Sequence, residues 1–121
     1  MATGEITHIE FPADDPERAK RFYSAVAGWS FDTMEGFPGY WLFRSSENAG
    51  GGLGKRGESV GNVIRVYINV DKLETAVSAA EANGGSVIEP PADVPGQGRF
   101  AVVRDPEGSE IGLWESATTS S

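Results

Sequence analysis

The chain has 121 residues, a formal net charge of −8 and no cysteine, and 39% of its residues are hydrophobic. This length supports one domain with a core and excludes two independent domains. The acidic balance argues against nucleic-acid binding, which depends on Lys and Arg contacts with phosphates. The lack of cysteine excludes disulfides and thiol chemistry and is compatible with the cytoplasm.

No apolar run approaches the roughly 20 residues needed to span a membrane. The opening residues, Met-Ala-Thr-Gly-Glu, lack the basic and apolar regions of a signal peptide. We therefore expect a cytoplasmic protein with no membrane or nucleic-acid partner.

The first third of the chain predicts a strand and then a helix. The strand covers Ile6 to Phe11 and ends at Pro12, and Asp14 or Asp15 caps a helix that begins at Pro16 and ends at Gly28. The apolar residues at helical spacing, which we expect to form the core face of this helix, are Ala19, Phe22, Tyr23, Val26 and Ala27.

Three further strands are predicted in the first half of the chain. They cover Trp29 to Met34, Tyr40 to Arg44 and Gly51 to Lys55, with a turn at Glu35 to Gly39 between the first two. Gly57 to Gly61 is expected to link the two halves.

The segment from Asn62 to Gly85 repeats the strand and the helix. One face of the strand is aliphatic and should lie under a helix, whereas the other is mixed. The mixed face carries Arg65, Tyr67 and Asn69, a combination that is unusual in a core and natural in a binding cavity. The helix repeats Leu73, Ala76, Val77 and Ala80, and Gly84-Gly85 ends it.

The sequence from Ser86 onward predicts three more strands. They cover Ser86 to Glu89, which Pro90-Pro91 stops, then Arg99 to Arg104, and finally Glu110 to Glu115. The chain is thus one domain, 1–121, made of two modules at about 5–57 and 62–116, with a polar tail at 117–121. Each module has the order βαβββ, which places the fold in the α+β class.

Three groups of residues carry a resemblance to a known superfamily. They are Ile6 through Arg18 with Phe22-Tyr23 and Gly28-Trp29, then Val70-Asp71 with Gly84-Gly85, and Asp105-Pro106-Glu107-Gly108 before Ile111-Gly112-Leu113. In this order they resemble the vicinal oxygen chelate superfamily, which includes glyoxalase I, extradiol dioxygenases and bleomycin-resistance proteins. The resemblance covers about residues 5–116 and implies two βαβββ modules that form a pair of half-barrels with a site in the cup between them.

The resemblance also implies where metal-dependent relatives place their ligands. His8 matches the ligand of the first strand, but Arg65 and Gly112 stand at two other ligand positions. The remaining ligand position falls within Gly50 to Gly54, which offers no donor side chain. Because a catalytic divalent metal needs about three ligands from His, Cys, Asp or Glu, we expect no metal and no other cofactor.

The candidate site residues follow from this placement. His8 and Glu10 are the candidate catalytic residues, and the candidate ligand-binding residues are Arg65, Tyr67, Asn69, Glu110 and Trp114. Two interpretations of Arg65 stay open: it forms an internal ion pair with Glu10 or Glu110, or it binds an anionic group of a ligand.

We expect a glyoxalase-like protein that binds a small anionic or aromatic molecule. The alternative is a metal-dependent lyase, isomerase or dioxygenase of the same superfamily. A homodimer is also expected, with the aromatic residues Trp29, Phe37, Tyr40 and Trp41 as exposed contact candidates.

Overall fold

The computed structural model describes residues 3–117. The first half contains β1 (Ile6–Ala13), α1 (Pro16–Ala27), β2 (Asp32–Met34), β3 (Phe37–Arg44) and β4 (Gly50–Lys55). The second half contains β5 (Arg65–Asn69), α2 (Leu73–Ala82), β6 (Ser86–Val94), β7 (Gly98–Arg104) and β8 (Glu110–Ser116). The predicted α+β class with two βαβββ modules is therefore confirmed, while the predicted polar tail lies outside the described residues beyond Ala117.

Internal contacts divide the chain into two compact units. The first unit is Thr7–Arg65, and the second contains the other described residues, 3–6 and 66–117. Within residues 3–117, neither helix has the length and apolar character that crossing a bilayer requires.

The first unit contains strands β1 to β4. β4 pairs with β1 in parallel and with β3 in antiparallel orientation, and β3 also pairs with β2. The register sets Glu10 opposite Gly52.

The second unit repeats this arrangement with β5 to β8. β8 pairs with β5 in parallel and with β7 in antiparallel orientation, and β7 also pairs with β6. Tyr67 of β5 lies opposite Gly112 of β8, just as Glu10 of β1 lies opposite Gly52 of β4. Tyr67 and Glu10 are therefore equivalent positions. His8 and Arg65, each two residues earlier, are therefore equivalent positions, as the resemblance implies.

Helix α1 begins and ends as its sequence predicts, and the structure selects Asp15 as the cap. The Asp15 side chain accepts a hydrogen bond of 3.2 Å from Arg18 N, and Pro16 opens the helix. At the other end Gly28 has φ of 74°, a left-handed conformation that glycine adopts without steric cost.

The face that α1 turns inward differs from the predicted one. The half-buried row is Pro16, Ala19, Lys20 and Tyr23. Phe22 and Val26 stay 57% and 68% exposed, so the prediction that they form helix core is wrong. Lys20 lies on the inner row instead, and its ammonium lies 4.1 Å from the centre of the Trp41 ring, a cation–π contact.

An aromatic cluster forms the core of the first unit. Trp29 stacks on Phe43 with ring centres 4.1 Å apart, and Phe11 packs at an angle against both rings. Trp29 lies before β2, which begins only at Asp32, so the predicted strand from Trp29 was too long. The turn between β2 and β3 is also shorter than the predicted turn from Glu35 to Gly39, because β3 already begins at Phe37.

The core of the second unit confirms part of the prediction that a helix covers the aliphatic face of β5, whereas Ile64 on the predicted face is 56% exposed and precedes the strand. The buried cluster consists of Leu73, Ala101, Val103 and Leu113. The half-buried side chains packed against it include Ile68 and Val70 from the β5 segment and Ala76, Val77 and Ala80 from α2.

The predicted stop at Pro90-Pro91 is wrong, since β6 continues to Val94. The pairing of β6 with β7 shifts in register between Glu89 and Ala92, and the two prolines lie inside this irregularity. Proline is tolerated there because a bulge leaves backbone N–H groups without a ladder partner.

Candidate functional site

A connected group of polar side chains lies in the first unit. The Tyr40 hydroxyl is 2.9 Å from His8 Nε2 and donates a hydrogen bond of 3.0 Å to Glu10 Oε2. The other oxygen of Glu10, Oε1, lies 3.7 Å from a terminal nitrogen of Arg65. We refer to His8, Glu10, Tyr40 and Arg65 as the polar cluster.

Strand geometry explains how these four side chains meet. His8 and Glu10 are two residues apart on β1 and share a face of the sheet. Tyr40 comes from β3, with β4 between the two strands. A Cβ atom on Gly52 of β4 would overlap the Tyr40 hydroxyl and ring, so glycine at this position lets the phenol reach across to β1.

Arg65 pairs with Glu10 inside the protein. This contact is the internal ion pair that the sequence offered as one of two interpretations of Arg65. Their side chains are only 6% and 13% exposed. Because a buried charge without a partner is costly, each of these groups stabilises the other in its ionised form. An anionic ligand would have to compete with Glu10 for the guanidinium.

Burial lowers the pKa of His8 from its usual value of 6.5, because an imidazolium loses favourable hydration in a protein interior. His8 is therefore neutral at pH 7, the form in which an imidazole can accept a proton or a hydrogen bond. Its position beside a tyrosine hydroxyl is compatible with the predicted role as a base or an orienting group.

The other predicted site residues belong to the second unit. Tyr67 and Asn69 of β5 are buried at 6% and 5% exposure. In the parallel pairing with β8, Asn69 lies opposite Trp114, whose indole N–H donates to Ser116 Oγ at 3.2 Å. Glu110 is the half-buried first residue of β8, on the same strand as Trp114.

The Asn69 side chain contains a buried donor. Within residues 3–117, its Nδ2 atom has no hydrogen-bond partner. The backbone of Asn69 is satisfied, since its N–H donates to Glu5 O at 2.8 Å. An unsatisfied buried amide costs free energy, and this makes Asn69 a candidate contact for a polar atom of a ligand.

Tyr67 occupies the space above Gly112 just as Tyr40 occupies the space above Gly52. A Cβ atom at Gly112 would overlap the Tyr67 ring. The resemblance implies one ligand position at Gly112 and another within Gly50 to Gly54, and a tyrosine ring lies over a glycine in each of these segments.

The donor set can be compared with the needs of a metal. His8 and Glu10 offer one imidazole nitrogen and one carboxylate in the polar cluster, and Arg65 adds a cation. Across the described part of the chain, no group of three or more His, Cys, Asp or Glu side chains is arranged to hold a metal ion. Tetrahedral zinc and related sites need about three protein ligands.

Tyr40 is a further candidate site residue, which the sequence predicted only as an exposed contact. It is half-buried and bridges the two candidate catalytic residues. The available signal was the glycine-rich strand Gly50–Lys55 next to an aromatic one, since strands without side chains leave room for neighbouring rings.

Comparison with known protein families identifies the chain. Residues 8–114 match the model of the glyoxalase-like domain family. The chain belongs to this family. The predicted membership in the vicinal oxygen chelate superfamily is thereby confirmed, and the match covers both units.

Curated relatives of the chain are longer proteins. A protein of Mycobacterium tuberculosis named putative glyoxylase CFP32 is 37% identical over 118 residues, which are 95% of this chain and 45% of that protein. The anthracycline biosynthesis protein DnrV of Streptomyces peucetius is 27% identical over 131 aligned positions, which cover 94% of this chain and 48% of that protein. The chain thus spans less than half the length of these two relatives.

Solved structures share the fold. A hypothetical protein of Bacillus halodurans, BH1468, matches with a TM-score of 0.74 and 14% identity, covering 99% of both chains. Methylmalonyl-CoA epimerase of Mycobacterium tuberculosis matches with a TM-score of 0.68 and 17% identity, covering 95% of this chain and 89% of that one. At such low identity these matches concern the fold alone.

Proposed function

We propose that this glyoxalase-like protein binds a small aromatic molecule without a bound divalent metal, and that the polar cluster forms the polar part of the site. The observation that carries the proposal is the bridge from His8 through Tyr40 to Glu10, which joins these side chains to each other. A metal would need the same imidazole and carboxylate, and it would lie close to the Arg65 guanidinium, which repels cations.

The residues present do not fit the metal that the superfamily implies. Gly52 and Gly112 have no side chain that could bind a metal, and the rings of Tyr40 and Tyr67 lie in the space that such a side chain would need. The remaining donors, His8 and Glu10, fall short of the three that a catalytic site requires.

The choice of an aromatic ligand rests on two observations. The relative DnrV is named for anthracycline biosynthesis, and anthracyclines are aromatic molecules. Arg65 already has Glu10 as an anionic partner, which weakens the case for a ligand carboxylate. Aromatic binding sites combine apolar surface with a few placed polar groups, and the polar cluster provides such groups.

A thermal-shift experiment with a matched pair of probes tests the proposal. The probes are 2-naphthol and 2-naphthoate, which share a ring system and differ in charge. We expect saturable stabilisation by 2-naphthol that is lost in His8→Ala and retained in Glu58→Gln, a change at an exposed residue outside the cluster. Stabilisation by Zn²⁺, Ni²⁺ or Mn²⁺ without any effect of either naphthalene would contradict the proposal.

A second candidate function is metal-free proton transfer, which the contact between His8 and Tyr40 favours. Neutral His8 and the Tyr40 hydroxyl are groups that can exchange protons with a bound substrate. The fold neighbour named methylmalonyl-CoA epimerase supplies a probe. Deuterium incorporation next to the thioester of methylmalonyl-CoA in D₂O, absent in His8→Ala, would support this function, and incorporation at the uncatalysed rate would reject it.

A further inference from the structure

A cavity of about 350 Å³ lies in the first unit, between the end of β1 and the first turns of α1. Its apolar wall is formed by Pro12 of β1 and by Ala19, Phe22 and Tyr23 of α1. The volume falls within the range of about 300–1,000 Å³ that is typical of small-molecule pockets. Among the described residues, no member of the polar cluster lines this space, which we refer to as the α1 cavity.

Phe22 gives the α1 cavity an aromatic wall that the fold leaves uncovered. The side chain is 57% exposed, and its ring meets the Tyr23 ring edge to face with centres 5.0 Å apart. Tyr23 in turn stacks on Trp29 at 5.5 Å, so Phe22 rests on the aromatic core of the unit. A second aromatic ring packed against Phe22 would gain free energy from burial and from the ring contact itself.

Backbone pairing places Arg56 at the rim of the same cavity. Its N–H donates to Ala13 O at 2.9 Å, directly after the paired position of Lys55 and Ala13. Its Nε donates to Asp14 Oδ1 at 2.8 Å, and Nη1 donates to Asn62 O at 2.7 Å. These contacts hold the guanidinium in place and balance its charge with Asp14. They use only part of its five N–H groups.

Arg18 is a lining cation that forms no ion pair within residues 3–117. The pKa of Asp14 is lowered first by its hydrogen bond with Arg56 and also by the charge of Arg18, so Arg18 acts on the same end of the cavity. Asp15 is engaged at the helix start, where it accepts a hydrogen bond from Arg18 N. The Arg18 guanidinium is therefore the lining charge that remains to be matched.

We propose that the α1 cavity is a second binding site, for a small aromatic carboxylate whose ring packs on Phe22 and whose carboxylate binds Arg18. A guanidinium fits a carboxylate because it can donate two parallel hydrogen bonds to the two oxygens. The uncommitted N–H groups of Arg56 lie on the same cavity and can add to this contact. The exposed ring selects an aromatic acid over an aliphatic one. The site goes beyond the proposed function, which concerns the polar cluster.

Calorimetric titration of the whole chain with 2-naphthoate at low ionic strength tests this proposal. We expect saturable binding in the wild type and affinity lower by about tenfold or more in Arg18→Gln, because a charge-assisted contact is lost. Arg21→Gln is the matched control, since Arg21 is an exposed arginine of the same helix outside the cavity lining. It should bind like the wild type, whereas Phe22→Ala should bind more weakly.

His8→Ala separates this site from the polar cluster. We expect it to bind 2-naphthoate as the wild type does, and we expect Arg18→Gln to keep the response to 2-naphthol. A failure of 2-naphthol alone would thus reject the proposed function and leave the α1 cavity standing.

Three results would overturn the second site. They are no saturable binding of 2-naphthoate, equal affinity in Arg18→Gln and Arg21→Gln, and loss of 2-naphthoate binding in His8→Ala. Tighter binding of 2-naphthylmethylammonium than of 2-naphthoate would overturn the anionic class of ligand, because it would assign the cavity to cations beside Asp15.

Discussion

Arg65 and Glu10 form an ion pair that differs in its surroundings from the surface pair of Arg56 and Asp14. The first pair is 6% and 13% exposed, and the second is 39% and 73% exposed. Removing one partner of a buried pair leaves the other charge poorly solvated. We therefore predict that Arg65→Ala lowers the free energy of unfolding by about 3–5 kcal/mol.

Urea denaturation measures this difference, and Arg56→Ala is the matched control. Water screens the exposed pair, so the control should change stability much less than Arg65→Ala does. Equal effects of the two substitutions would show that burial does not govern the contribution of Arg65.

The lowered pKa of His8 predicts how stability depends on pH. The unfolded chain binds a proton at the usual value of 6.5, whereas the folded chain binds it only at lower pH. The unfolded state therefore holds more protons in the window below 6.5, and stability falls as the pH falls through this window.

Denaturation midpoints between pH 8 and pH 5.5 test this dependence. The wild type should lose stability toward the acidic end, and His8→Gln should lose clearly less, because it removes the only histidine. An identical slope in both proteins would assign the loss to other groups.

At the scale of the elements, helix α2 depends on a cap that comes from another strand. Lys72, the residue before the helix, makes no capping hydrogen bond with its side chain. Instead Glu115 Oε1 of β8 accepts a hydrogen bond of 2.7 Å from Leu73 N. A carboxylate at a helix N-terminus satisfies a free N–H and interacts favourably with the helix dipole.

We predict that Glu115→Ala costs about 1 kcal/mol of unfolding free energy, as loss of an N-cap does. Glu115→Gln should retain part of this contribution, because the amide oxygen can still accept the hydrogen bond. Equilibrium unfolding of both variants measures the effect, and the idea fails if Glu115→Ala is as stable as the exposed-site variant Glu58→Ala.

Much of the element order could be predicted from the sequence, because alternation and helical spacing follow from burial of one face. Ile68 and Val70 were placed correctly on the helix-covered face of their strand for this reason, and the end of α1 at Gly28 was predicted from the left-handed conformation that glycine adopts. The exposure of Phe22 was not, since the inner face of α1 includes Lys20, whose contact with Trp41 joins residues distant in sequence. The prediction that Pro90-Pro91 ends its strand was wrong because the bulge that accommodates the two prolines depends on the pairing of β6 with β7.

The candidate site was predictable only in part for the same physical reason. Arg65 was singled out by the mixed face of its strand, His8 by the resemblance, and Glu10 because it shares a face of β1 with His8. Tyr40 was missed because its role arises from the space above Gly52, and this space exists only once β3 and β4 are paired.

At the scale of the whole molecule, the homodimer stays a prediction. The aromatic contact candidates were judged exposed, but Trp29, Tyr40 and Trp41 are half-buried, and only Phe37 counts as exposed at 38%. We expect light scattering to give the mass of two chains at micromolar concentration. A monomer mass over a wide concentration range would contradict the homodimer.

We propose that the chain binds its ligand without a metal, and metal content combined with chelation is the sharpest test of this proposal. Elemental analysis of the purified protein is followed by titration with 2-naphthol before and after treatment with EDTA. We predict far less than one Zn, Ni, Mn or Fe per chain and the same naphthol affinity in both samples. Near one metal per chain, with binding lost after chelation and restored by that metal, would contradict it.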